Sequence, residues 1–354
     1  MTDRRRLVVL FGGQSAEHDV SCVTARHVLA AASPDRYVID AIGITRDGSW
    51  VRTDTAALLD SKTASALPEA LSAVGDAIQP AAAIGGGATV VLPLLHGPMG
   101  EDGTVQGLLD LANVPYVGAG VLGSAICMDK TVAKQLADSH GIAQARWRGL
   151  HVDDIDDRTA ATIIDELGTT VFVKPANMGS SVGVSRAKGL GELRSAIDLA
   201  AAYDEWLVVE EAIDGREIEV GVLGNRRLEA SVPGEVVPGD DFYSYDDKYH
   251  DGIAETLIPA ALTGEQSDEV RDLACRAARH LRVQGLARVD FFLEEGGRGF
   301  LLNEVNTMPG FTPISMFPKL WEATGLPYAQ LIDRLVDLAI DRHAARLRHR
   351  STDH

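Results

Sequence analysis

The sequence predicts an α/β protein that begins with a doubly wound parallel sheet, and three observations carry that reading. Residues 7 to 11, LVVLF, are a continuous apolar, β-prone run that stops at Gly12-Gly13. That is the pattern of a buried strand, a sharp turn and a helix, here beginning near Ala16. Runs of the same kind stand at 37 to 44 and at 88 to 95, ATVVLPLL, with helical stretches between them. The chain closes on an amphipathic helix, with Leu331, Leu335, Leu338 and Ile332, Val336, Ala339 at helical spacing.

Between the second and third strands, residues 52 to 87 are rich in Ala, Ser, Thr and Gly and read as mostly helix and loop. From 119 the texture changes. A helix near 129 to 139 stops at Gly141, and a strand at 169 to 174, TTVFVK, meets Pro175 and the loop NMGSSVGV (177 to 184). Strands are expected at 206 to 211 and 217 to 223, followed by a polar, aromatic-studded loop, DDFYSYDDKYHDG (240 to 252). A helix near 265 to 282 leads into the strands LARVDFFL (286 to 293) and GFLLNEVN (299 to 306), joined by EEGGRG.

A chain of 354 residues can form two or three domains, each with its own core. Its formal net charge of -18 argues against nucleic acid or an anionic membrane as a partner, since both need a basic surface. An anionic substrate would need a local basic pocket. Cys22, Cys127 and Cys275 form no CxxC pair and no even set, so neither a disulfide framework nor a zinc knuckle is expected, and a reducing cytoplasm fits. The opening MTDRRRLVVLFGG has a signal peptide's arginines but only five apolar residues behind them, too few for its hydrophobic region. No apolar run approaches the roughly 20 residues of a membrane span. His18, His27, His140 and His250 show no metal spacing, and GxGxxG is absent.

The last strand sends Glu304 and Asn306 to one face, because residues two apart in a strand share a side. A solvated face would account for that. A hairpin centred on Gly297 offers another account: Asp290 then lies opposite Glu304, and Arg288 opposite Asn306. Like charges across a ladder are destabilising unless a cation sits between them, and a hard divalent ion with oxygen ligands and nucleotide phosphates fits such a cluster. Arg288 could then stabilise a transferred phosphoryl group. The reading depends on register, since centring half a residue earlier would turn Glu304 to the other face.

No GxxxxGK[ST] is present, so a phosphate site must be built differently. Lys174 and the loop with Gly179, Ser180, Ser181 and Gly183 offer an ammonium, hydroxyls and backbone N–H groups. Lys130 falls in the first turn of its helix, where the macrodipole disfavours a cation. A nearby anion would explain it, although exposed lysines also occur at such positions.

Six motifs, in order, give the chain a close resemblance to the D-alanine:D-alanine ligase family of the ATP-grasp superfamily. They are FGGQSAEHDVS (11 to 21), LHGPMGEDGTVQGLLDLANVPYVGAGVLGSAICMDK (95 to 130), KPANMGSSVGVS (174 to 185), FYSYDDKY (242 to 249), ARVDFFL (287 to 293) and NEVNTMPGFTPIS (303 to 315). The resemblance runs from Leu7 to about Ile340. It implies an α/β, three-domain ATP-grasp fold: an N-terminal substrate domain (1–118), a central domain (119–217) and a C-terminal catalytic domain (218–354), with ATP between the second and third.

The resemblance also implies roles. Lys130 and Lys174 contact ATP phosphates, with Gly179, Ser180, Ser181 and Val182 closing over them. VVEEAI (208 to 213) matches the adenine hinge, so Glu210, Glu211 and Ile213 border the adenine and Glu217 meets the ribose. Asp290, Glu304 and Asn306 match the Mg2+ ligands, with Mn2+ a possible substitute. Glu17 corresponds to the acid that meets the first D-alanine's ammonium. Arg288 and the backbone of Gly310 correspond to groups holding the acyl phosphate and tetrahedral intermediate, Ser315 to the contact with the second D-alanine's carboxylate, and His96 to a substrate-side group. Lys248 matches a lysine that joins the phosphate site, while Ser180 and Tyr249 match residues linked to Glu17.

The implied activity is ATP-dependent formation of D-alanyl-D-alanine for peptidoglycan, by a cytoplasmic homodimer. Departures are small: Asp19 stands where many relatives have glutamate, and the residues before Gly310 vary among relatives. Tyr249 favours the dipeptide, since relatives making D-alanyl-D-lactate depart from the tyrosine pattern there. D-Alanyl-D-serine or D-alanyl-D-lactate synthesis, and an inactive ATP-binding regulator, are the alternatives. Intact Arg288, Glu304, Asn306 and Lys248 speak against the regulator, and a metal phosphatase or nuclease would leave the lysines and VVEEAI without a use.

Overall fold

The structure, a computed structural model, describes residues 4–55, 70–237 and 255–350. In chain order the first elements are β1 (Arg5–Gly12), α1 (His18–Ala31), β2 (Tyr37–Ile44), β3 (Trp50–Arg52), β4 (Asp76–Ala77), α2 (Pro80–Ile84), β5 (Thr89–Pro93) and α3 (Thr104–Leu111). They form a sheet of order β4-β3-β2-β1-β5. β2, β1 and β5 run parallel, while β3 and β4 add an antiparallel edge. Within 52 to 87, read as mostly helix and loop, the described residues hold α2 and loop, with strand only at Arg52 of β3 and in the two-residue β4; residues 56–69 lie outside the described residues.

The doubly wound expectation holds on both faces of this sheet. Leu7, Val9 and Phe11 pack with Ala25 and Val28 of α1, and Val8 and Leu10 pack with Ala83, Ile84, Val105 and Leu109 of α2 and α3. β1 is apolar throughout because both of its faces are covered. Its run ends where Gly12 takes φ +87°, and a Cβ there would lie 2.3 Å from the Ile44 carbonyl oxygen. Only glycine makes this turn without strain, and the turn delivers Glu17 to the mouth of α1.

The next elements are α4 (Val121–Met128), α5 (Lys130–Ser139), β6 (Trp147–His151), α6 (Asp157–Leu167), β7 (Thr170–Pro175), β8 (Ser185–Lys188), α7 (Gly189–Ala201) and β9 (Trp206–Glu211). β6-β9-β7-β8 is an antiparallel sheet backed on one face by α6 and α7. Then come β10 (Arg216–Gly224), β11 (Leu228–Val237), β12 (Glu255–Leu257), α8 (Gly264–His280), β13 (Gly285–Glu294), β14 (Gly299–Asn306), α9 (Met316–Ala323) and α10 (Tyr328–Arg350). Their antiparallel sheet, β12-β11-β10-β13-β14, packs α8 against Ile218, Val220, Val289 and Phe291. Ala137 and Ile142, from the end of α5 and just beyond it, join that core.

The hairpin register is right at the acids for a reason other than the one the sequence offered. Near the turn, Glu294 pairs with Gly299 and Phe291 with Leu302, so the hairpin is centred half a residue before Gly297. Carried to the end, that register would send Glu304 toward the core with Phe300 and Leu302. A β-bulge at Asn303 supplies the missing residue, and beyond it Asp290 faces Glu304 and Arg288 faces Asn306. Val305 thereby turns into the core, and Glu304 and Asn306 line the opposite face.

Among the described residues no helix is long and apolar enough to cross a membrane. The three cysteines are free thiols.

Candidate functional site

Two sheet faces look at each other across a cavity of about 300 Å³. Alternation selects what they present. On β7, Val171 and Val173 go to the core under α6 and α7, which leaves Phe172 and Lys174 for the cavity; on β9, Leu207 and Val209 are core and Glu210 faces in. The opposing face contributes Phe292 and the run Asn303 to Thr307. Lys130, Met178 to Ser181, Ile213 to Gly215 and Glu217 add to the wall, with Glu101 among the others that line it.

One end of this cavity is strongly charged. Lys174 Nζ lies 2.9 Å from Glu210 Oε2 and 3.4 Å from Asn303 Oδ1. Lys134 Nζ lies 3.0 Å from Glu210 Oε1, and both of those side chains are 4 % exposed. Burial opposes the Glu210 charge, but the two ammonium groups outweigh it and pull the carboxyl down to about 2. Lys174 is likewise held above the ordinary lysine value, Glu210 overcoming its burial. Lys130 opens α5, whose N-cap Asp129 accepts from Thr131 N and Val132 N, and its Nζ donates to the Met178 carbonyl at 2.5 Å. Burial draws its ammonium below the ordinary value, with Glu304 acting the other way.

Glu211 is pinned from two sides. Its carboxylate accepts from Arg146 N and Nε at 2.7 Å each and from Arg298 Nη1 at 2.6 Å. Glu210 and Glu211, at the end of β9, are therefore each tied to two cations.

Across the cavity, Asp290 is the centre of a second network. Arg288 donates to it twice, Nε to Oδ1 at 2.8 Å and Nη2 to Oδ2 at 2.7 Å, and Asn306 Nδ2 donates to Oδ2 at 2.9 Å. Glu219 approaches Arg288 Nε at 3.0 Å. Burial works against the guanidinium charge, yet Asp290 and Glu219 hold its pKa well above the ordinary value. Asp290, Glu304 and Asn306 are hard oxygen donors on one sheet face, a set suited to Mg2+ that keeps part of its coordination for phosphates and water. Among the described residues no group of three or more histidines, cysteines or acids could hold a metal ion by itself.

Glu17, Val182, His96, Gly310 and Ser315 stand beside the cavity rather than in its wall. Glu17 is buried and accepts a hydrogen bond from Ser180 Oγ. A Cβ on Gly97 or on Gly179 would lie 3.4 Å from Glu17 Oε2, so both loops close on this acid. Ser180 and Ser181 hold φ 49° and 59°, a left-handed conformation uncommon outside glycine and concentrated where function demands it. Val182 N closes the loop onto the Gly179 carbonyl at 3.1 Å. His96 is 5 % exposed; its Nδ1 meets the Met308 carbonyl at 3.0 Å, and its Nε2 has no partner among the described residues. Gly310 follows that tether, and a Cβ on it would lie 3.2 Å from Ser315 Oγ, which pairs with Thr312 Oγ1 at 2.8 Å. Lys248 and Tyr249 lie outside the described residues.

Sequence reasoning passed over three groups. Lys134 follows Lys130 by four, hence on the same helix face, and that spacing was the available signal. Glu219 alternates with Glu217 on one strand face and pairs with Asp290 across β10 and β13. Glu101 lines the cavity and accepts from Gly97 N at 2.8 Å. Burial and the neighbouring Glu17 push it up to about 8.

Comparison with known proteins shows the family and the fold. The family described as D-ala D-ala ligase N-terminus matches residues 6–119, and D-ala D-ala ligase C-terminus matches residues 136–337. A D-alanine--D-alanine ligase of Geobacillus kaustophilus is 46% identical over 353 residues, covering 96% of each chain. The solved D-alanine-D-alanine ligase of Coxiella burnetii superposes with a TM-score of 0.82 at 34% identity, covering 98% of both chains. The VanG D-Ala:D-Ser ligase of Enterococcus faecalis gives 0.79 at 31%, covering 95% of this chain and 100% of that one. With both family regions matched in order and the fold shared end to end, this chain belongs to the D-alanine–D-alanine ligase family, within the ATP-grasp fold.

Proposed function

We propose that the protein uses ATP to join two D-alanine molecules into D-alanyl-D-alanine, a peptidoglycan precursor, through a D-alanyl phosphate. The observation that carries this is the convergence of Lys174 on one sheet and Lys130 at the start of α5 with the arginine and oxygen-donor set of the facing sheet, with Glu17 joined to the phosphate-side loop through Ser180. An amino-acid anchor beside phosphoryl-transfer groups is what such a ligation needs, and these residues supply the chemistry for both.

A carboxylate is a poor acyl donor because oxide is a poor leaving group. One oxygen of the first D-alanine's carboxylate attacks the γ-phosphorus and ADP departs; the amine of the second D-alanine then attacks the carbonyl, phosphate departs and the nitrogen loses a proton. Lys130, Lys174 and the Gly179–Val182 loop hold phosphate oxygens, while Glu210, Glu211, Ile213 and Glu217 border the nucleoside. Glu17 anchors the first ammonium, with His96 on the substrate side. Ser315 anchors the second carboxylate. Arg288 and the backbone of Gly310 steady the charge that develops at phosphorus and at the tetrahedral carbon. Lys248 and Tyr249 complete the phosphate and substrate sides. Asp290, Glu304 and Asn306 would hold Mg2+, or Mn2+ in its place, which would supply neutralisation of phosphate charge.

The division of labour runs with the chain: 1–118 for D-alanine, 119–217 and 218–354 for the ATP clasp. We take the working form to be a cytoplasmic homodimer.

Phosphate release from ATP and Mg2+ should require D-alanine. Release without an amino acid, or with L-alanine alone, would overturn the assignment. Competition with D-serine and D-lactate, read by product mass, should leave the D-alanyl-D-alanine dipeptide dominant.

A further inference from the structure

Arg288 has two carboxylate partners in this structure, and one of them, Asp290, is also a proposed metal ligand. Asp290 accepts from Nε at 2.8 Å and from Nη2 at 2.7 Å, while Glu219 stands 3.0 Å from Nε. A divalent ion held by Asp290 would compete with the guanidinium for the same two oxygens. Directly across the neighbouring strands, Arg288 faces Gly221 and Asn306, neither of them anionic. Glu219 then remains its carboxylate partner.

The sheet separates the two acids' surroundings. Asp290 has Glu304 across β14 on one side and Glu219 across β10 on the other, so the oxygen donors Glu304 and Asn306 lie on the far side of Asp290 from Glu219. Glu219 is 6 % exposed, and the Arg288 side chain 18 %. At that depth an arginine stripped of its partners is strongly unfavourable, and whatever removes the last partner bears the cost.

We propose that Glu219 is a positioning residue that keeps the Arg288 guanidinium paired and fixed while Asp290 is committed to the metal. It acts through Arg288 and touches neither metal nor substrate. The inference rests on the reading of Asp290 as a metal ligand.

Binding of Mn2+ in the presence of a non-hydrolysable ATP analogue, followed by electron paramagnetic resonance, separates the possibilities without turnover. Glu219→Gln should weaken Mn2+ binding about tenfold, within the coupling range of groups in one ion-pair network. In an Arg288→Met background the same substitution should change it less than about twofold. Equal binding by Glu219→Gln and the wild type would overturn the proposal. So would an equal loss in both backgrounds, which would mean that Glu219 acts on the ion directly through its field. Failure of the wild type itself to bind Mn2+ would sink the metal reading of Asp290 and this inference with it. Should the glutamine variant not fold, Glu219→Thr, a residue suited to strands, is measured in both backgrounds under the same criteria.

Discussion

At Glu210 three charges share one buried point. A carboxylate 3 % exposed lies between Lys134 and Lys174, and its pKa is drawn from an ordinary 4.5 to about 2. Because the folded value lies below the unfolded one, the stabilisation is present above about pH 4.5 and is lost as pH falls through about 2. Urea denaturation should therefore show wild type and Glu210→Gln differing most above that window and converging within it; a constant difference would contradict the account. Arg288 makes a second residue-scale prediction. Arg288→Ala should lower kcat by about 100- to 1000-fold, the usual cost of removing a preorganised charge-stabilising donor, and unchanged steady-state kinetics would remove it from the chemistry. The residues that motifs pointed to were legible because their neighbours in sequence repeat a known pattern. Lys134 and Glu219 were not, since the first needs a helix face and the second a strand register before either acquires a partner.

Among the elements, β14 carries the most consequence for the least sequence. One extra residue, Asn303, converts a hairpin that would bury Glu304 into one that presents it beside Asp290. Apolar runs made the strands β1, β2, β5, β7, β9, β13 and β14 readable, and the amphipathic stripe made α10 readable. β8, with the sequence SRAK, is a polar edge strand, and α7 opens on GLGEL, with two glycines that argue against a helix; neither showed in the pattern. The bulge was equally hidden, because nothing local distinguishes an unpaired asparagine from a paired one. α5 offers a direct test at this scale. Asp129→Ala removes the acceptor for Thr131 N and Val132 N at 2.9 and 3.0 Å, and should lower stability by about 1 kcal/mol in a denaturant titration. No loss would mean that packing alone sets the start of the helix and the height of Lys130.

Across the whole molecule, the last helix fastens the C-terminal part to the first sheet. Leu331, Leu335 and Val336 share a core with Leu7, Val9 and Phe11, and Tyr37 donates to Asp333 at 2.6 Å. Arg342 donates to the Gly118 carbonyl and, at 2.8 Å, to that of Tyr116, with its guanidinium 4.3 Å from the Tyr116 ring centre. Arg342→Met should cost about 1–3 kcal/mol by leaving those carbonyls without a donor, read as a shift in the urea midpoint. That fastening matters because Glu17 and His96 come from the first sheet's loops, whereas Ser180, Met308 and Arg288 come from the other two. The central claim is that ATP makes an acyl phosphate of one D-alanine before the other attacks it. D-Alanine carrying two 18O atoms in its carboxylate, incubated with ATP and Mg2+, tests this by mass spectrometry of both products. The account predicts a dipeptide that keeps one 18O in its peptide carbonyl and a released phosphate that gains one; dipeptide formed with unlabelled phosphate, or phosphate released with no dipeptide, would contradict it.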